Sequence, residues 1–218
     1  MKKIAFYGGS FDPVHLGHLA IAEKLTEIFD LDEFVFVPAF HAPHKINLKP
    51  ASAYHRFAML CLATNRLARV KVSTLELESP KKPYTIETLT KLKGEFPHTK
   101  IFFVMGADSW EEITIWREWE KVLTIVNIIV VTRPQYEIEF SHVTEEIGQR
   151  IIDLRGKDEL RITNYQSQDK IFITDAVQMD VSATKIRKMV REKDDKWKKQ
   201  VAEKVTEHIE KYGLYQTT

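Results

Sequence analysis

Short, mostly apolar runs alternate along this chain with longer stretches in which apolar residues return every three or four positions. Lys3–Tyr7, Glu33–Pro38, Ile101–Met105, Ile125–Thr132 and Ile171–Thr174 are runs of the first kind, and each predicts a strand buried on both faces. Val70–Leu77 reads as extended. Leu16–Phe29 carries Leu19, Ala22, Leu25, Ile28 and Phe29 at helical spacing. Ala51–Leu67, Thr85–Glu95, Ser182–Arg191 and Lys196–Tyr212 also predict helices. Ser109–Val122 predicts one more, with an interruption near 114–116. Gln135–Lys170 is polar and weakly periodic, and reads as a helix plus a long connection. Apolar strands separated by helices predict a parallel sheet covered on both faces, an α/β doubly wound architecture. Residues 1–218 are expected to form a single domain with a small C-terminal helical part at about 182–218. Ligands in such sheets bind where strands end, and every motif below starts at the end of a strand.

Composition narrows the picture without filling it. Apolar residues make up 44% and charged residues 29% of 218 residues, and the formal net charge is +1. No global basic field favours nucleic acid as a partner. The single cysteine, Cys61, lies in an apolar stretch, excludes a disulfide within the chain and reads as a buried structural thiol. The apolar run after Met1-Lys2-Lys3 stops too soon for a secretion signal, and no run approaches a membrane span. A cytoplasmic protein with no membrane partner is the expectation.

The chemistry concentrates in Gly8-Gly9-Ser10-Phe11-Asp12-Pro13-Val14-His15-Leu16-Gly17-His18. Gly8 and Gly9 would let backbone approach a ligand and adopt positive φ. The helix from Leu16 offers free N–H groups and a positive dipole end. His15 and His18, three apart, can share a face there and donate to phosphate oxygens. Neither the Walker loop nor G-x-G-x-x-G is present. Four imidazoles, His15, His18, His41 and His44, leave a zinc site open as an alternative.

Gly9–His18 resembles the signature G-S-F-D-P-x-H-x-G-H of the nucleotidyltransferases with an H-x-G-H motif, and matches it at every position. The resemblance implies a Rossmann-like fold, both histidines on the ATP phosphates, and Ser10 and Phe11 along the nucleotide. Asp180–Arg187 resembles the second signature, I-S-S-T-x-I-R. Ser182 would cap a helix whose first N–H groups, with Thr184 and Arg187, build an anion site for the β and γ phosphates.

Other segments resemble the nicotinate-nucleotide adenylyltransferases within that superfamily. Pro38–Lys45 is similar to their P-x-x-x-P-H-K loop. His44 and Lys45 supply phosphate donors, and two prolines lower the cost of ordering the loop. Lys82–Leu89 is similar to S-Y-T-x-x-T-L, with Pro83 in place of Ser. The resemblance implies that Tyr84 and Thr85 hold the acceptor, helix-start amides selecting the acid group of nicotinate. Gly106-Ala107-Asp108 resembles the family's G-x-D at the nucleotide, and Val131–Pro134 its V-x-R-P turn, with Arg133 on the nucleotide side. Trp116 matches the tryptophan that stacks on the pyridine ring, whereas Trp110 and Trp119 read as partly core.

The implied reaction is transfer of AMP from ATP to nicotinate mononucleotide. An acceptor phosphate is already mostly dianionic near neutrality, so no general base is needed. Its oxygen would attack the α-phosphorus in line and release pyrophosphate. His18, His15, Lys45 and Arg187 are the expected catalytic set. Mg²⁺ is expected to arrive with ATP, carried by its phosphates, and no dedicated protein cage is visible. Adenylyl transfer to nicotinamide mononucleotide or phosphopantetheine, and a non-catalytic nucleotide sensor, stay open as alternatives. A homo-oligomer is compatible with the sequence.

Overall fold

A computed structural model describes residues 1–40, 50–78, 83–132, 137–157 and 169–216. Seven strands form one sheet in the order β3-β2-β1-β4-β5-β7-β6. They are β1 (Lys2–Gly9), β2 (Glu33–Pro38), β3 (Val70–Val72), β4 (Thr99–Gly106), β5 (Asn127–Val131), β6 (Ile151–Asp153) and β7 (Ile171–Thr174). All pairings are parallel. After β1 the chain winds outward through β2 to β3, then returns to place β4 on the other side of β1. The gap above β1 and β4 is therefore the switch point at which ligands of doubly wound sheets bind.

The helices are α1 (Leu16–Ile28), α2 (Ala53–Thr64), α3 (Thr85–Glu95), α4 (Ala107–Glu111), α5 (Trp119–Ile125), α6 (Glu145–Gly148), α7 (Ala183–Arg191) and α8 (Glu203–Lys211). They cover both faces, because successive strand residues point to opposite sides. Ala5, Tyr7, Phe34, Phe36, Phe102, Val104, Ile129 and Phe172 pack with residues of α1, α2, α7 and α8. Ile4, Phe6, Val35, Val37, Ile101, Phe103, Ile128 and Ile173 pack with residues of α3, α4, α5 and α6. Each large side chain buried this way contributes about 1.5–3 kcal/mol. The C-terminal helices belong to the first of these cores, which contains Ile186, Val190, Trp197, Val205 and Ile209. Among the described residues, no helix is long and apolar enough to cross a membrane. Cys61 is only half-buried, and that burial pushes its thiol up from the ordinary value.

Several boundaries differ from the sequence pattern. The helix expected from Ala51 starts at Ala53, because Ser52 caps it by accepting from the His55 N–H at 3.2 Å. The run after Val70 pairs only as far as Val72 and then turns, with the Leu77 and Glu78 N–H groups returning to the Thr74 carbonyl. In the helix expected over 109–122, the interruption expected near 114–116 is a 3₁₀ turn at Ile113–Ile115 after α4, and α5 starts only after Glu118 takes a left-handed φ of 51°. Consequently Ile125 closes α5 and the strand begins at Asn127. Lys196–Tyr212 likewise divides into a 3₁₀ turn, Asp195–Gln200, and α8. The weakly periodic 135–170 stretch holds α6 and the short edge strand β6, where three residues are too few to show a period.

Candidate nucleotide site

β1 stays extended through Gly9, whose carbonyl accepts from the Ala39 N–H at 2.9 Å. Contrary to expectation, neither Gly8 nor Gly9 has positive φ. Phe11 does, at 49°. That turn folds the Phe11 ring back over Gly9, where a Cβ would lie 2.9 Å from the ring. Gly9 thus makes room for a core aromatic. The Phe11 ring is buried against Tyr7, Phe36 and His18, at centroid distances of 5.3, 5.2 and 5.1 Å. Only its backbone is left to run along a nucleotide.

His15 stands at the N-cap of α1 and His18 one turn inside it. Their rings stack, centroids 3.7 Å apart and planes 19° from parallel. His18 Nδ1 accepts from the His15 backbone N–H at 3.2 Å. In the neutral ring the proton therefore sits on Nε2, which makes that nitrogen a donor. Gly17 relieves the same packing, since a Cβ there would lie a tight 3.2 Å from the His15 ring.

The second signature arrives at the same place. Ser182 caps α7, accepting from the Lys185 N–H at 3.3 Å. A Cβ at Gly17 would be 4.0 Å from the Val181 Cβ, so the starts of α1 and α7 are neighbours. Arg187 donates to the Asp12 carbonyl at 2.5 Å and to Thr184 Oγ1 at 3.3 Å, and its side chain is 12% exposed. Arg187 thus braces the first loop against the start of α7.

Three residues outside the sequence-derived set organise this corner. Asp12 is buried, its Oδ1 accepting from the Tyr215 hydroxyl at 2.6 Å and the Ala51 N–H at 3.2 Å. Its Oδ2 is 3.9 Å from the Arg187 guanidinium. Arg56, 1% exposed, donates to the carbonyls of Ser10 (2.6 Å), Ala39 (2.6 Å), Phe40 (3.1 Å) and Ala51 (3.2 Å). One buried guanidinium thereby joins the backbone beyond β1 to the backbone beyond β2. Burial pulls it below its ordinary pKa, with Asp12 opposing that shift. Burial first, then the Asp12 charge, holds the Tyr215 phenol well above its ordinary value, so it stays a donor. Asp12 lay within the recognised motif, but its partners are 39, 175 and 203 residues away, and no spacing rule reaches them.

On the other side of the switch point, Gly106 caps α4 and a Cβ there would meet open space. Asp108 is exposed at that helix start. Tyr84 caps α3, and Glu87 Oε2 accepts from the Tyr84 N–H at 3.0 Å. Thr85 and Ile86 present the helix-start amides that have no carbonyl within the helix. Trp116 is half-buried at the end of the 3₁₀ turn, packed on the core beneath it. Arg117, next in sequence, lies 4.8 Å from the Tyr84 ring centroid and 3.6 Å from Glu87, bringing the Trp116 segment to the start of α3. Trp110 is wholly core, its Nε1 donating to the Glu139 carbonyl. His41, His44, Lys45 and Arg133 lie outside the described residues. Among the described residues, no three of His, Cys, Asp and Glu gather as a metal site.

The fold and the paired helix starts define an α/β nucleotide-binding protein of the H-x-G-H type. Residues 6–189 match the cytidylyltransferase-like family. A probable nicotinate-nucleotide adenylyltransferase of Desulfatibacillum aliphaticivorans is 34% identical over 98% of this chain and 99% of its own length. Another of that name, from Psychromonas ingrahamii, is 35% identical over 88% and 87%. The nicotinic acid mononucleotide adenylyltransferase of Plasmodium falciparum, solved in complex with NaAD, shares the fold, with a TM-score of 0.72 at 21% identity over 99% of this chain and 98% of that one. The chain belongs to the cytidylyltransferase-like nucleotidyltransferases and, within them, to the nicotinate-nucleotide adenylyltransferase family.

Proposed function

We infer that this protein transfers AMP from ATP to nicotinate mononucleotide, giving nicotinate adenine dinucleotide and pyrophosphate, a step in NAD synthesis. The observation that carries the reading is the meeting of the two signatures. The starts of α1 and α7 lie side by side and Arg187 reaches the Asp12 carbonyl, so one polyphosphate can span both. Two converging helix N-termini with imidazole and guanidinium donors suit a charge that spreads over several oxygens.

In this reading His18 Nε2–H faces the α-phosphate, and His15 with the start of α7 holds the leaving phosphates. Arg187 adds its charge to that end. Lys45 and His44 are assigned to the bridging oxygens and the acceptor phosphate. Gly106, Asp108 and Arg133 border the nucleoside. Tyr84, Thr85 and Trp116 take the pyridine end, indole stacking on the electron-poor ring and the α3 amides receiving the carboxylate. Catalysis is positioning and charge stabilisation, with no covalent intermediate. Mg²⁺ is assigned to the ATP phosphates as part of the substrate. Residues 1–218 act as one catalytic unit, the C-terminal helices supplying Ser182 and Arg187.

Pyrophosphate release measured with a panel of acceptors tests this. Turnover with nicotinate mononucleotide well above that with nicotinamide mononucleotide or phosphopantetheine is the expected result. Equal turnover with nicotinamide mononucleotide would remove the acid preference. ATP binding without transfer to any acceptor would make the protein a nucleotide sensor instead.

A further inference from the structure

We propose that Tyr215, near the far end of the chain, is a positioning residue for the ATP phosphate site, acting through Asp12. The inference rests on the ATP site proposed above. After α8 the chain reverses, with left-handed φ values of 57° at Gly213 and 65° at Tyr215. That conformation is unfavourable for a side chain with a Cβ, and it persists where surrounding contacts over-determine it. Here the ring packs on the core shared by α1, α2, α7 and α8. The hydroxyl then meets Asp12 Oδ1 at 2.6 Å.

Asp12 makes that bond consequential. It is a buried carboxylate in the loop between β1 and His15, next to a site meant for a polyanion. Its Oδ1 is held by Tyr215 and by the Ala51 N–H, while Oδ2 lies 3.9 Å from Arg187 Nη1, beyond hydrogen-bond range. Arg187 instead gives that nitrogen to the Asp12 carbonyl. Tyr215 therefore anchors the carboxylate by Oδ1 and leaves Oδ2 in a long ion pair with Arg187, the guanidinium assigned to the leaving phosphates. Without the hydroxyl, Oδ1 loses its shortest partner and the carboxylate closes on Arg187. The long ion pair tightens and draws Arg187 away from the phosphates, and the Ser10–His15 loop shifts with Asp12.

Tyr215→Phe tests this with little change in packing. Affinity for a non-hydrolysable ATP analogue, measured by calorimetry, should fall about tenfold, the effect of one hydrogen bond to a charged group. The KM for ATP should rise in step, with the KM for nicotinate mononucleotide unchanged. Asp12→Asn removes the charge that Tyr215 controls, so adding Tyr215→Phe to it should cost little more. Wild-type analogue affinity in Tyr215→Phe would overturn the proposal. So would losses that multiply in the double variant, or equal rises in both KM values, which a general loosening of the fold would produce. Analogue binding by the wild type without turnover would sink the acceptor assignment alone and leave the Tyr215 comparison intact. No analogue binding by the wild type would overturn both.

Discussion

The imidazoles of His15 and His18 lie face to face, 3.7 Å between centroids, and the His15 backbone N–H donates to His18 Nδ1. The helix cap and the proposed catalytic donor are thus one arrangement. Capping fixes which nitrogen of His18 carries the proton, and that nitrogen is the one left for a phosphate.

His18→Ala should lower kcat by about 10²–10³-fold, the usual cost of losing one donor to developing charge. The melting temperature should move little, since His18 is only half-buried. Steady-state kinetics beside a thermal melt check this. A variant that loses activity only in proportion to its folded fraction would contradict the assigned role.

Gly17→Ala tests the arrangement without touching either imidazole. Its Cβ would lie 3.2 Å from the His15 ring, so that ring must shift by a few tenths of an ångström against His18. A drop in kcat exceeding any loss of stability is expected, because helix interiors tolerate alanine better than glycine by about 0.5–1 kcal/mol.

Arg56 carries the opposite balance. Arg56→Met would leave the carbonyls of Ser10, Ala39, Phe40 and Ala51 without their shared donor. Each orphaned buried acceptor costs about 1–3 kcal/mol, with relaxation recovering part of the sum. Denaturant unfolding should show a loss of at least about 3 kcal/mol, among the larger effects of a single substitution. Arg56→Lys should recover only part of it, because one ammonium cannot reproduce the planar fork.

Trp116→Ala should separate the two substrates. The KM for nicotinate mononucleotide should rise about tenfold, the stacking contribution of one aromatic pair. The KM for ATP should stay near the wild-type value. A matched rise in both would place Trp116 in the fold and not at the acceptor.

Acid should loosen the contact between α2 and α8. His55 Nδ1 and His208 Nε2 share a hydrogen bond at 3.0 Å, with the Tyr212 ring against both imidazoles. Burial, then the nearby His55 and Lys211, lowers the His208 pKa below its ordinary value. As pH falls through that ordinary value, the unfolded chain takes up the proton first and stability declines. The decline levels off once the folded protein is protonated too. Stability therefore rises with pH across this window. Thermal melts between about pH 5 and 7.5, a range spanning ordinary histidine titration, should show this slope. His208→Gln should flatten it.

The class of fold and the two signatures were legible in the amino-acid order alone. Both are local properties. Phe34–Val37 and Ile101–Met105 are apolar at every position because both faces of their strands are covered, and Gly9–His18 matches its signature residue by residue. Local patterns marked the interruption near 114–116 but not the left-handed residue, Glu118, that sets the start of α5, nor the three-residue strand β6. Nor could they assign Gly9 and Gly17 their reasons, since the rings that need the space belong to Phe11 and His15 in a folded loop. Which residues support the site emerges only from the folded chain. Arg56 reads as one more helical residue, and Tyr215 as part of a tail, until folding brings them to Ser10 and Asp12. A buried charge must find partners wherever the chain can deliver them. Here they came from loops and an end of the chain far apart in sequence, and no periodicity records such a meeting.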